Sequence, residues 1–123
     1  MNTEELMSTL QIRLKDSIRS AAKRTGEATE HNLTVDDLFE QYEKQDGKCA
    51  ELGVTLSGVR MDKGRYINSN RWTGLSIDRL DCRKGYTPDN IRLTCWVVNS
   101  MRGTLSETEA REQMVEFKEM LIN

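Results

Sequence analysis

The alternation of apolar and polar residues predicts two helices, then two strands, then two more helices. Apolar residues recur every three or four positions over residues 3–24, and Thr25-Gly26 ends this amphipathic stretch. Thr34 and Asp37 form a capping box that begins the second helix. The apolar residues of its buried side are Leu38, Phe39 and Tyr42.

In the second half of the chain the spacing of apolar residues changes from a helical to a strand pattern. Apolar and polar residues alternate in residues 75–78 and 91–94, as they do in β-strands. A run of turn-forming residues separates the two segments. Residues 95–102 suit a short helix, and a last helix follows a capping box formed by Ser106 and Glu109. The inner stripe predicted for that last helix comprises Ala110, Met114, Phe117 and Leu121.

This order of elements predicts an α+β fold, in which a β-hairpin plus helix is flanked by N- and C-terminal helices. A length of 123 residues suits a single domain over 1–123, with residues 1–30 as an N-terminal helical extension. The sequence shows neither an export signal nor an apolar run of membrane-spanning length. We therefore expect a cytoplasmic protein with no membrane partner.

The charge is unevenly distributed along the chain, although the net charge is only −2. Residues 31–58 carry −4 and residues 104–123 carry −3, whereas residues 59–103 hold nine basic residues against four acidic ones. This basic central segment could contact nucleic acid, or it could be an uneven but solvated surface.

Three polar residues in residues 75–103 suggest a site. Asp78 stands at the end of the first predicted strand, Asn90 opens the second, and Asn99 lies on the helix that follows. A strand–loop–strand–helix unit can bring Asp78 and Asn99 together, where their oxygens could hold a hard cation whose other positions take water and phosphate.

These residues resemble the ββα-metal motif of the HNH endonucleases, in a variant common in bacteriophages. The likeness rests on Ile-Asp-Arg-x-Asp around Asp78, on Gly-Tyr-Thr-x-Asp-Asn before residue 91, and on Asn99. Gln45-x-Gly-x-Cys49 matches a stretch that such proteins carry upstream. The likeness covers residues 34–117, and the ββα core would be 75–103.

The resemblance implies roles for these residues. Asp78 and Asn99 would hold Mg²⁺ or another divalent cation, and Asn90 would pin the loop and the general base. Arg79 stands where the family has its base His, and an Arg cannot accept a proton from water. Arg79 could bind phosphate instead, which leaves Asp81 or the lone His31 as candidate bases.

Contacts to DNA would come from basic and aromatic residues around this core. The candidate phosphate contacts are Arg83, Lys84, Arg92 and Arg102. Trp72, in a loop, could touch DNA or cover the core, whereas Trp96 is expected in the core.

Zinc is not expected, because each of the two Cys-x-x-Cys knuckles found in many HNH proteins has lost one cysteine here. Cys49 and Cys95 remain, and two thiolates alone make a poor tetrahedral site. We expect both to be buried near each other beside Leu52 and Val98, and Cys82 to be more exposed.

Two functions remain open from the sequence. One is a divalent-metal-dependent DNA endonuclease or nickase, phage-encoded and slowed by the loss of the base His. The alternative is a catalytically inactive HNH-like domain that binds DNA or a protein, such as a phage inhibitor of a host defence system.

Overall fold

The computed structural model describes residues 1–66, 71–102 and 107–122, and it begins with two capped helices. Helix α1 spans Thr3–Ala22, and the Asn2 side chain accepts a hydrogen bond from the Glu5 N–H at 2.8 Å. Helix α2 spans Val35–Lys44 and begins with the predicted capping box. There the Asp37 N–H donates to Thr34 Oγ1 at 3.2 Å, and the Thr34 N–H donates to the Asp37 carboxylate at 2.9 Å.

A short β-ribbon follows in the segment between α2 and the central hairpin. Strands β1 (Met61–Asp62) and β2 (Arg65–Tyr66) pair antiparallel. Lys63 and Gly64 between them have φ values of +50° and +78°. Two successive left-handed residues are what a type I′ turn requires, and such a turn matches the twist of a hairpin.

The predicted strand–strand–helix unit is present. Strand β3 spans Leu75–Arg79 and pairs antiparallel with β4, Ile91–Cys95. Helix α3 spans Trp96–Arg102 and begins directly after β4. Helix α4 spans Glu107–Ile122 and contacts α3. The mixed α+β class is therefore confirmed.

Three helices contact the β3–β4 hairpin. Helix α1 contacts β3 and α2 contacts β4, while α3 contacts both strands. Just after α2, the Gln45 side chain pairs with the edge of β4: its amide donates to the Leu93 carbonyl at 2.8 Å and accepts from the Leu93 N–H at 2.9 Å. The fully buried apolar side chains include Leu10, Leu38, Leu56, Leu75, Leu93, Cys95 and Val98.

Two expectations about buried residues need revision. Trp96 is 46% exposed, because it lies two residues before the buried Val98 and so points to the opposite side of α3. In α4, Met114 is buried and Phe117 packs edge-on against Trp72, but Leu121 is 43% exposed. The capping box at Ser106 and the side chain of Ala110 lie outside the described residues.

The loop between β3 and β4 is held against the segment that follows α1. The Tyr86 N–H donates to the Glu30 carbonyl at 2.8 Å, and the Asn32 N–H donates to the Tyr86 carbonyl at 3.0 Å. A Cβ added at Gly85 would overlap the Glu30 carbonyl, which is a backbone group that cannot rotate away.

We expect Gly85→Ala to destabilise the protein by about 2 kcal/mol or more, because the loop must move away from Glu30 and lose these hydrogen bonds. Urea denaturation measures this free energy. Gly58→Ala is the control, since the three atoms nearest to an added Cβ there belong to the side chains of Met1, Thr9 and Glu5, at 3.3 to 3.8 Å, and not to the backbone. Equal stability of both variants would contradict the close approach at Gly85.

Candidate metal and nucleic-acid site

One face of the β3–β4 hairpin carries polar side chains. The register sets Ser76 opposite Thr94 and Asp78 opposite Arg92, so alternation places all four on the same side. The Asn99 amide of α3 donates to the Ser76 hydroxyl and, at 3.2 Å, to the Ile77 carbonyl. The two predicted metal ligands, Asp78 and Asn99, are therefore brought to the same face of the hairpin.

Asp78 is buried and paired with a cation of the protein itself. Its Oδ2 accepts a hydrogen bond from Arg92 Nε at 2.8 Å, and Arg92 Nη1 donates to Glu51 at 3.0 Å. Glu51 in turn pairs with Lys118 of α4 at 3.0 Å. Desolvation acts to lower the pKa of Arg92, but the bonds to Asp78 and Glu51 outweigh it and raise that pKa.

This pairing gives Arg92 a role that the sequence reading missed. The prediction that Arg92 contacts phosphate is not supported by its position, because its guanidinium is already engaged by two carboxylates and its side chain is only 23% exposed. Glu51 was missed as well. Its pKa is raised by burial but lowered more by hydrogen bonds from Lys118 and Arg92, so it stays ionised.

Arg79, which occupies the base position of the motif, shapes the loop. Its Nη1 donates to the carbonyls of Cys82 and Lys84, each at 2.9 Å. Its guanidinium carbon also lies 5.4 Å from the centroid of the Tyr86 ring, in the range of a cation–π contact. In this arrangement Arg79 stabilises the backbone between β3 and β4.

Asn90 closes the same loop from its other end. Its amide nitrogen donates to the carbonyls of Asp81 at 3.1 Å and Gly85 at 2.8 Å, and its oxygen accepts from the Asp81 N–H at 3.0 Å. With only 7% of Asn90 exposed, these three bonds satisfy the buried amide. The contacts agree with the loop-pinning role that the resemblance implied.

Asp81 is a weak base, and His31 is engaged by neighbouring side chains. Asp81 is held by the Arg83 side chain and backbone N–H, and these hydrogen bonds lower the pKa of Asp81 to about 2. A carboxylate that acidic is a weak base at neutral pH. Burial lowers the pKa of His31, whose Nε2 lies 2.8 Å from Ser17 Oγ while its ring packs against Tyr86.

The other candidate DNA contacts differ in exposure. Arg83 is exposed, but its guanidinium lies on Asp81 at 3.1 Å. Lys84 is exposed, and none of the described carboxylates pairs with it. Arg102 ends α3, and its side chain lies outside the described residues.

Cys49 and Cys95 are buried side by side, as expected. Cys49 Sγ accepts from the Cys95 N–H at 3.2 Å and from the Leu52 N–H at 3.4 Å. The hydrogen bond from the Cys95 thiol, helped by these amides, lowers the pKa of Cys49 to about 6. Cys82 is exposed. That the protein binds no structural zinc stays a prediction.

The polar face offers oxygen atoms that suit a hard cation. Asp78 contributes a carboxylate and Asn99 an amide oxygen, and the buried Thr94 hydroxyl has no hydrogen-bond partner. Across the described residues, no three His, Cys, Asp or Glu side chains are grouped as metal ligands. The donors fit Mg²⁺ in kind, but a cation at Asp78 must compete with Arg92.

No family model, curated protein or solved structure matches the chain. Nor is any helix in the described ranges long and apolar enough to cross a membrane. The HNH resemblance therefore rests on the motif residues and on the contacts they make.

We expect Asn90→Ala to destabilise the protein by about 2 kcal/mol or more, because it leaves the Asp81 N–H and two carbonyls without their partner. Thermal and urea unfolding measure the loss. Asn32→Ala, which removes an exposed amide, should change stability by less than about 0.5 kcal/mol. If the two variants unfold alike, Asn90 does not hold the loop.

Proposed function

We propose that the chain is an HNH-like, divalent-metal-dependent DNA endonuclease or nickase. The observation that carries this proposal is the placement of Asp78, on a strand, and Asn99, on the following helix, on one face of an antiparallel hairpin. Asn90 supports it, because this residue pins the connecting loop through three hydrogen bonds. Asp78 and Asn99 would hold the cation, with the unpartnered Thr94 hydroxyl close by on the paired strand.

A bound divalent cation would polarise the scissile phosphate and stabilise the leaving oxygen. The protein residues would position that phosphate and exclude bulk water from the polar face. Arg79 cannot accept a proton, and a positioned base contributes a factor of about 10² to 10⁴ to such rates. The proposed enzyme therefore turns over slowly.

A second candidate function is favoured by the Arg92–Asp78 pair. Because Arg92 already pairs with the buried carboxylate, Asp78 needs no metal to balance its charge. In this alternative the protein is a catalytically inactive HNH-like factor that binds DNA or a protein, such as an inhibitor of a host defence system. The acidic flanks of the chain would repel phosphates, so they suit a protein partner better than DNA.

Incubation with supercoiled plasmid separates the two functions. We expect slow, Mg²⁺- or Mn²⁺-dependent conversion to the nicked form, no conversion in EDTA, and loss of cleavage in Asp78→Ala. Asp36→Ala, which removes an exposed carboxylate at the start of α2, is the control and should cleave like the wild type. Arg79→His should accelerate cleavage, provided that circular dichroism shows an intact fold.

Cleavage by Asp78→Ala at the wild-type rate would reject the metal site. No cleavage by the wild type, with none gained in Arg79→His, would favour the inactive binding factor.

Cation competition at Asp78 can be measured without cleavage. We expect Arg92→Gln to bind Mn²⁺ more tightly than the wild type in calorimetry, because the Asp78 carboxylate loses its guanidinium partner. Adding Asp78→Asn should remove that gain. Arg83→Gln, which breaks an exposed pair, is the control and should leave Mn²⁺ binding unchanged. Equal, negligible Mn²⁺ binding by wild type and Arg92→Gln would mean that the pair is structural.

A further inference from the structure

The positive charge of the central segment is not spread evenly over the folded protein. Arg79 bonds loop carbonyls, Arg83 lies on Asp81, and Arg92 is shared by two carboxylates. Among basic residues of this segment with described side chains, those with neither a carboxylate partner nor a side-chain hydrogen bond are Arg60, Lys63, Arg65 and Lys84. Three of these four lie within residues 60–66, which comprise the short ribbon of β1 and β2 and the residue that precedes it.

The ribbon presents its charges outward. Residues 60–65 are all exposed, and the register sets Arg65 directly opposite Asp62. Arg60 directly precedes β1, and the turn places Lys63 at the tip of the ribbon. Residues 60–65 therefore carry three cations and one carboxylate.

The segment that leads into the ribbon is fixed to the rest of the protein. The Val59 N–H donates to the buried Thr9 hydroxyl of α1 at 3.0 Å. The Ser57 N–H donates to the Thr73 carbonyl, and the Leu75 N–H donates to the Ser57 carbonyl, each at 2.9 Å. The base of the ribbon is thus tied to the start of β3, the strand that carries Asp78.

We propose that this ribbon is a duplex-DNA contact of the protein, with Arg60, Lys63 and Arg65 on the phosphates. The major groove of B-DNA admits a two-stranded β-ribbon, and exposed Arg and Lys without carboxylate partners can neutralise the phosphates that border it. The inference rests on the proposed function, because it names the surface by which the nuclease or the inactive factor would hold DNA. The ribbon would be a second DNA contact, in addition to the candidate contacts at Arg83 and Lys84.

The test is fluorescence anisotropy with a labelled 20-base-pair duplex over a series of salt concentrations. The variant combines Arg60→Gln, Lys63→Asn and Arg65→Gln, because Asn tolerates the left-handed turn position while removing the charge. We expect at least a tenfold loss of affinity, and a log–log salt slope that is shallower by about 2 to 3. Unchanged thermal unfolding establishes that the fold is intact.

Two control variants remove positive charge elsewhere. Lys15→Gln, Lys23→Gln and Arg24→Gln together take three exposed charges from α1 and the residues after it, and should bind as the wild type does. The double variant Arg83→Gln, Lys84→Gln tests the candidate phosphate contacts in the loop between β3 and β4. A ribbon variant that binds like the wild type, or one that loses no more affinity than the α1 variant, overturns the inference while leaving the proposed function standing.

Other outcomes separate the two proposals further. A wild-type protein that binds no duplex at low salt overturns both the inference and the DNA-directed functions, and points to a protein partner. If the protein binds single-stranded DNA but not the duplex, the ribbon is not a groove contact and the inference is overturned. Loss of duplex binding in the ribbon variant, together with no cleavage by the wild type, supports the ribbon and favours the inactive DNA-binding factor.

Discussion

The pairing register of β3 and β4 is the constraint on which the candidate site depends. It brings Asp78 opposite Arg92 and Ser76 opposite Thr94, so that the polar side chains share the face that meets Asn99. A slip of one residue would turn these side chains to the other face of the hairpin, which carries the buried apolar residues Leu75, Leu93 and Cys95. The three hydrogen bonds of Asn90 oppose such a slip, because they fix the length and shape of the connecting loop.

The burial of Asp78 carries an electrostatic cost on this face of the hairpin. A carboxylate that is 6% exposed is costly unless a cation or several donors compensate it. Arg92 supplies that compensation, and Glu51 and Lys118 extend the pair to helix α4. The two candidate functions thus differ in one physical respect, namely whether a divalent cation can take the position beside Asp78 that the guanidinium holds.

Folding also sorts the basic residues into two classes. Arg79 donates hydrogen bonds to carbonyls of the loop between β3 and β4, which it stabilises. Arg92 forms an ion pair with Asp78 on the polar face. The cations of the β1–β2 ribbon point into solvent, where they remain available for a partner. Net charge and charge per segment cannot separate these classes, because both kinds of Arg contribute equally to a count.

Local patterns in the sequence determined most of the elements and part of the site. The capping box at Thr34, the alternation of the two strands and the short helix after them are set by neighbours in sequence, and all three appear in the structure. The burial of Cys49 beside Cys95 and the loop-pinning role of Asn90 also agree with motif spacing. Only the tertiary structure decided that Arg92 binds Asp78, because cross-strand partners depend on a register that an eleven-residue loop leaves open. The tertiary structure also decided the ribbon at Lys63, because a turn with two left-handed residues depends on its surroundings. It decided the exposure of Trp96 as well, because the packing around a helix sets which of its faces is buried.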